Sequence, residues 1–315
     1  LITYSEIRLA PGNRGDIEDR FLSFAPDAVH IATEGPLGWD ARAICLKHKF
    51  PFSTSYHTQF PEYVHARFWW IPLWAGYRYM HAFHDRSGRM MVATPTMIDV
   101  LKLQGFRNVA MWSRGVDVEL FHPSKRGIDG GLYKDLPKPV FAYVGRVAVE
   151  KNIEAFLKLD LPGSKVIVGD GPARDELIER AAQRDVASRL TLVGLVERDR
   201  ISHYVSAFDV ALQPEVVPYA SPLKLFEYMT LGRAIVAPDR PNIREVLEHR
   251  KDALLFDPGS QGAFEAAVLE LCREETLRGQ LGAAAARKID ERDMTWDGNA
   301  RRVVELAEAL NGRAT

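Results

Sequence analysis

Short apolar runs rich in β-branched residues recur through the second half of the chain, each followed by a helical pattern. This alternation narrows the choice of fold more than any other feature. PVFAYVG (139–145) precedes EKNIEAFLKL, and KVIVG (165–169) precedes DELIERAA. LTLVG (190–194), FDVALQP (208–214) and AIVAP (234–238) repeat the theme. Runs of roughly four to six apolar residues, bounded by Gly or Pro and separated by helices, are strands of a parallel sheet buried on both faces by βαβ crossovers. The first part carries a less regular version, with DAVHIAT (27–33), PFSTSY (51–56) and RMMVAT (89–94) reading as strands.

The alternation breaks at RGVDVELFHP (114–123), and KRGIDGGLYKDLPKP (125–139) is rich in Gly, Pro and charge. The expected organisation is α/β throughout, with one Rossmann-like domain over 1–118, a linker over 119–138 and a second Rossmann-like domain over 139–292. Two such domains facing each other place a ligand cleft at the carboxyl ends of their strands. The first domain reads as incomplete, lacking about one or two opening βα units of roughly 30 residues each. The chain is therefore expected to be shortened at its N-terminus.

Basic and acidic residues balance at 41 against 42, so no global field points to a nucleic-acid partner. Cys45 and Cys272 lie far apart and suggest neither a disulfide framework nor a metal cluster, which fits a reducing, cytoplasmic compartment. The most apolar stretch, FWWIPLWAGY (68–77), is flanked by Arg67 and Arg78 and is too short to span a bilayer. Its three tryptophans are expected to pack in a core. The competing expectation is peripheral contact with the inner face of a membrane.

Three segments carry candidate chemistry. In VGRVAVEKN (144–152), Gly145 stands at a strand end with Arg146 beside it and Lys151 further on, where exposed backbone amides and two cations suit a diphosphate. VGDGP (168–172) sets Gly169 and Gly171 in a turn that lets a base or ribose approach the backbone; a plain turn is the simpler reading. In SPLKLFEYM (221–229), Ser221 suits an N-cap and Pro222 the first helical position. The amides of Leu223 and Lys224 then point at an anion, reinforced by the Lys224 ammonium. Helical phase puts Leu225, Phe226 and Met229 on one arc and Lys224 with Glu227 on the opposite one, where Glu227 can accept both ribose hydroxyls. Taken alone, this pair reads more simply as a solvent-facing ion pair.

Together and in this order, GRVAVEKN, VGDGP, TLVG and SPLKLFEYMTLGRAIVAP resemble the donor domain of family-4 retaining glycosyltransferases. RGVDVELFHP resembles that family's interdomain segment. TWDGNARRVVELAEAL (295–310) resembles its C-terminal helix, which implies that residues 293–315 pack back towards the first domain. The resemblance implies the GT-B fold, a nucleotide-sugar donor as substrate and no cofactor. It assigns Arg146 and Lys151 to the diphosphate, Leu223 and Lys224 to its cap, and Glu227 to the ribose. STSYHTQFPEY (53–63) resembles the family's strand-end histidine, here His57, beside the transferred sugar. The first half resembles bacterial lipid-directed mannosyltransferases and sulfoquinovosyl-diacylglycerol synthases, which implies a lipid or glycan acceptor. One position departs from the pattern: the family's first acid, eight positions before Glu227, is Tyr219 here, and Glu215 is no substitute for it.

The resulting expectation is a retaining, metal-independent hexosyltransferase drawing on GDP-mannose or a UDP-sugar. Its rivals are a non-catalytic nucleotide-sugar binding module and a nucleotide-sugar epimerase of the same fold. A dinucleotide oxidoreductase is more distant, since no strand ends in G-x-G-x-x-G with a downstream acid.

Overall fold

The computed structural model describes residues 13–57, 59–112, 114–125, 133–183, 189–216 and 223–312. They fall into two compact units, one drawn from Leu1–Ser113 and Asn299–Thr315 and the other from Arg114–Gly298.

In the first unit α1 (Arg14–Phe24) leads to β1 (His30–Ile31), α2 (Pro36–Lys47) and β2 (Ser53–Tyr56). Then come α3 (Phe60–Arg67), α4 (Leu73–His84), β3 (Arg89–Val92), α5 (Pro95–Leu103) and β4 (Val109–Met111). The described strands pair in parallel in the order β1-β2-β3-β4. Local chemistry sets the helix starts. Thr94 caps α5, its hydroxyl accepting the Met97 N–H at 3.2 Å, and Pro95 takes the first helical position, where a missing N–H costs nothing.

The aromatic segment departs from the core expectation. Helix α4 buries Gly76, Tyr77, Met80, Phe83 and His84, a face at helical spacing that excludes Trp74. Trp69 and Trp70 lie in the turn between α3 and α4, and all three tryptophans are exposed. His84 is fully buried between Thr54 and Glu34, and His81 stacks on Phe106 at 3.9 Å, so both histidines serve packing.

The second unit runs β5 (Val140–Val144), a 3-10 turn at Val149–Lys151, α6 (Ile153–Lys158), β6 (Ser164–Val168) and α7 (Arg174–Gln183). It continues through β7 (Leu190–Gly194), α8 (Ile201–Ser206), β8 (Val210–Leu212), α9 (Leu223–Thr230) and β9 (Ala234–Pro238). The remaining elements are α10 (Pro241–Arg244), β10 (Leu254–Phe256), α11 (Ala263–Arg273), α12 (Glu275–Glu291) and α13 (Trp296–Leu310). All described strands are parallel, in the order β10-β9-β8-β5-β6-β7.

Alternation along β5 sends Val140, Ala142 and Val144 into one core with α9, and Phe141 and Tyr143 into the other. The strand order reverses between β5 and β8. That is the switch point where loops diverge at the carboxyl ends of the strands and leave room for a ligand. Of the segment expected as a linker, Phe121 and Tyr133 are buried in this unit's core together with Val116. Helix α13 begins in the second unit, and its residues from Asn299 onward group with the first.

Candidate functional site

The loops that leave β5, β6 and β7 are stitched to one another at the strand ends. The Gly145 N–H donates to the Val168 carbonyl at 2.9 Å, Val147 N–H to Asp170 at 2.9 Å, and Gly169 N–H to Gly194 at 2.8 Å. Gly145 and Gly169 hold φ of +132° and +136°, a region that side chains avoid. A Cβ on Gly169 would lie 2.1 Å from the Gly145 carbonyl oxygen, and one on Gly171 would lie 2.3 Å from that of Val147. These two glycines are therefore required by contact between the chain's own loops. Gly145 differs, because a Cβ there would meet the Lys224 ammonium at 2.8 Å.

Lys224 and Glu227 share one face of α9, while Leu225, Phe226, Tyr228 and Met229 are buried on the other. They form no ion pair with each other. The Lys224 ammonium turns towards the end of β5 and sits 3.9 Å above the Tyr143 ring. Burial, with Lys151 as a nearby like charge, lowers its pKa to about 7 against the pull of Glu227. Burial also raises the Glu227 carboxyl above its ordinary value, opposed by Arg198 and then by Lys224. The last turn of α9 is tied to the end of β5, because the Tyr228 hydroxyl accepts the Val144 N–H at 3.0 Å.

Around the ends of β5 and β7 and the start of α9, Lys151 lies near the Lys224 ammonium and Arg198 near the Glu227 carboxylate, with the Glu150 carboxylate near Tyr143. Arg146 is exposed beside Gly145, its carbonyl accepting the Tyr143 hydroxyl at 3.0 Å. The first-turn amides of α9, Leu223 and Lys224, have no carbonyl one turn back within the helix. Cations, a helix start and a half-buried carboxylate are the kinds of group that suit an anion carrying vicinal hydroxyls. Arg198 escaped the sequence reading. It lies in a charged loop after β7 with no periodicity to mark it, and it stacks on Trp296 at 4.9 Å.

Ser221 and Tyr219 lie outside the described residues. Glu215 is committed to Arg240, at 3.1 Å, and to its neighbour's Val216 N–H at 2.9 Å. Asp117 accepts the Leu120 N–H at 2.9 Å, a structural turn. His57 belongs to the first unit, exposed just after β2, its ring 5.3 Å from Trp112. His30 lies 6.3 Å from the same indole and bonds Ser53 Oγ at 2.9 Å. Burial, and then His57, lowers the His30 pKa. Among the described residues, no group of three or more His, Cys, Asp or Glu is placed to hold a metal ion.

Comparison with known proteins identifies the family and the fold. Residues 128–288 match the glycosyl transferases group 1 model, and residues 1–120 match the glycosyltransferase family 4 model. The chain is 28% identical over 302 residues to a GDP-mannose-dependent alpha-mannosyltransferase of Mycobacterium tuberculosis, covering 93% of this chain and 75% of that one. It is 24% identical over 302 residues to the sulfoquinovosyl transferase SQD2 of Arabidopsis thaliana, covering 92% of this chain but only 58% of the plant enzyme. The fold is shared with Anabaena HepE, solved in complex with UDP, at a TM-score of 0.77 and 16% identity over 93% of this chain and 82% of that one. The two parallel α/β units are those of GT-B glycosyltransferases, and the chain belongs to the glycosyl transferases group 1 family.

Proposed function

We propose that the chain is a retaining hexosyltransferase that takes a nucleoside-diphosphate sugar, either GDP-mannose or a UDP-sugar, and glycosylates a lipid or glycan hydroxyl. The observation that carries this reading is the Lys224 ammonium at the β5–α9 corner, 3.9 Å above the Tyr143 ring and near the like charge of Lys151, with no ion pair to Glu227. A diphosphate there relieves the repulsion, and Glu227 is placed one helical turn from it for ribose hydroxyls. The mannosyltransferase relative is named for GDP-mannose, and HepE was solved with UDP. The lipid or glycan acceptor rests on the likeness of the first half to lipid-directed enzymes.

In this reaction the acceptor oxygen bonds to the anomeric carbon on the face that the diphosphate leaves. The carbon–oxygen bond to phosphate breaks, and the departing phosphate oxygen takes the acceptor's proton. Arg146, Lys151 and the α9 amides stabilise the charge on the leaving group, the task a divalent ion performs in other transferases. His57 is assigned to the sugar side, hydrogen-bonding a hexose hydroxyl as a neutral imidazole.

A thermal-shift panel of GDP-, UDP- and ADP-sugars on the wild type, Lys151→Ala and Glu227→Gln tests the donor site. One nucleotide class is expected to stabilise the wild type, and both substitutions to weaken that response about tenfold or more, as charge-assisted bonds are lost. No response to any nucleotide sugar overturns the reading. Turnover that chelator abolishes and a divalent ion restores overturns metal independence. Stabilisation by donor without transfer to any acceptor would favour a binding module instead.

A further inference from the structure

Helices α3 and α4 present two apolar faces, and only one of them is used by the fold. On the inner side Gly76 packs against Pro61 so closely that a Cβ would lie 2.8 Å from it. The Tyr77 hydroxyl donates to Glu62 there, and Met80 and Phe83 are completely buried. On the outer side Trp69, Trp70 and Trp74 expose 79%, 64% and 67% of their surface. Phe68 and Leu73 are exposed as well. Phe68 and Trp70 lie 5.3 Å apart and Trp69 and Trp70 6.3 Å apart, both pairs edge-on, so the rings form a single cluster on the turn.

Along the sequence, the charge that directly flanks this cluster has one sign. From Tyr63 to His84 the sequence holds no Asp or Glu, and Arg67 and Arg78 at its margins are exposed. The whole chain carries a net charge of −1, so this bias is local to the segment. Indole rings settle at headgroup depth in a bilayer, and arginine buries its stem while its guanidinium meets lipid phosphate. A turn of large rings framed by cations alone is complementary to an apolar layer under an anionic surface, and a fluid layer needs no matching hollow to receive it. We infer that the α3–α4 turn is a docking surface for an anionic lipid bilayer, with Trp69, Trp70 and Trp74 entering at headgroup depth and Arg67 and Arg78 bound to lipid phosphates. No described helix is long and apolar enough to cross a membrane, so the contact is peripheral. The inference goes beyond the transferase reading and does not depend on it, because docking uses neither donor nor acceptor.

The test is co-sedimentation of the purified chain with vesicles of phosphatidylcholine alone or mixed with phosphatidylglycerol, with no nucleotide sugar present. The wild type is expected to bind the phosphatidylglycerol vesicles, more weakly as salt rises, and to shift its tryptophan emission to the blue. Combined Trp69→Ser, Trp70→Ser and Trp74→Ser substitutions are expected to reduce partitioning about tenfold or more, since binding scales with the apolar area inserted. Arg67→Gln with Arg78→Gln should remove most of the salt dependence. All three positions of the tryptophan variant are exposed, so its thermal melting should match the wild type and separate lost docking from lost folding. Absence of wild-type binding to anionic vesicles overturns the inference, as does a tryptophan variant that binds equally well. A wild-type dimer that the tryptophan variant dissociates, with no vesicle binding by either, overturns it in favour of a second copy of the chain. A nucleotide-sugar titration on the same samples keeps failure of docking distinct from failure of the donor site.

Discussion

Lys224 is the residue on which pH dependence turns. Its folded pKa of about 7 lies below the ordinary 10.5, so between those values the unfolded chain holds a proton that the folded chain has released. This group's contribution therefore makes the fold more stable as pH rises from about 7 towards 10.5, while below about 7 the cost of the buried ammonium stands in full. A bound diphosphate acts in the opposite direction, because it favours the charged amine. Binding above about pH 7 should take up a proton, and donor affinity should fall with rising pH by at most about tenfold per unit. Calorimetric titration of the donor in buffers of different ionisation enthalpy measures that proton, and Lys224→Met should abolish it. Lys165, also lowered by burial to about 8, donates to the Leu157 and Leu159 carbonyls and contributes to the stability curve instead. Binding is thus the cleaner readout. At the neighbouring glycines the outcomes divide. Gly169→Ala places a Cβ against backbone at positive φ and should cost about 3 kcal/mol or more of stability, read by denaturant titration.

At the scale of elements, the placement of α9 depends on one hydroxyl. The Tyr228 side chain is buried against β5 and accepts the Val144 N–H, so it ties the last turn of α9 to the end of β5, next to Gly145. Tyr228→Phe leaves that N–H buried and unpaired, at a cost of about 1–3 kcal/mol. The melting temperature should fall by roughly 2–4 °C per kcal/mol, and donor affinity should fall with it. A variant with unchanged melting and unchanged donor binding would show that the helix is placed by its apolar face alone. That face was readable in the sequence. Strands buried on both sides must be continuous apolar runs, and helical phase put Leu225, Phe226 and Met229 together. The direction of Lys224 was not readable, because it depends on Tyr143, a residue of another element far from it in sequence. The tryptophans misled for a related reason. Apolar content records a preference for burial, but the partners available to α3 and α4 are set by the sheet, and Tyr77, Met80 and Phe83 occupy them. Arg198 had no sequence mark at all, since a loop cation gains meaning only from the carboxylate it faces.

At the scale of the whole molecule, the described residues proposed for the donor lie in the second unit, whereas the first unit takes its last segment from the far end of the chain. Gly145, Arg146, Lys151, Arg198, Lys224 and Glu227 all lie within Arg114–Gly298. Residues from Asn299 onward complete the first unit: Leu310 fills the notch left by Gly88, where a Cβ would lie 2.3 Å from its Cδ2. The Asn311 amide donates to the Asp27 carbonyl at 2.6 Å. Gly88 precedes β3, and its N–H is bonded to the Phe52 carbonyl at 2.9 Å, so the C-terminal segment is tied to the middle of the first sheet. Ending the chain after Gly298 should therefore loosen one unit and spare the other. Hydrogen exchange should accelerate in β2 and β3, while the thermal-shift response to the donor persists, because local stability follows local contacts. Equal loss of protection in β5 and β6 would sink this view, showing that the two units open as one cooperative body. A donor response lost while β5 and β6 stay protected would place part of the nucleotide site outside the second unit.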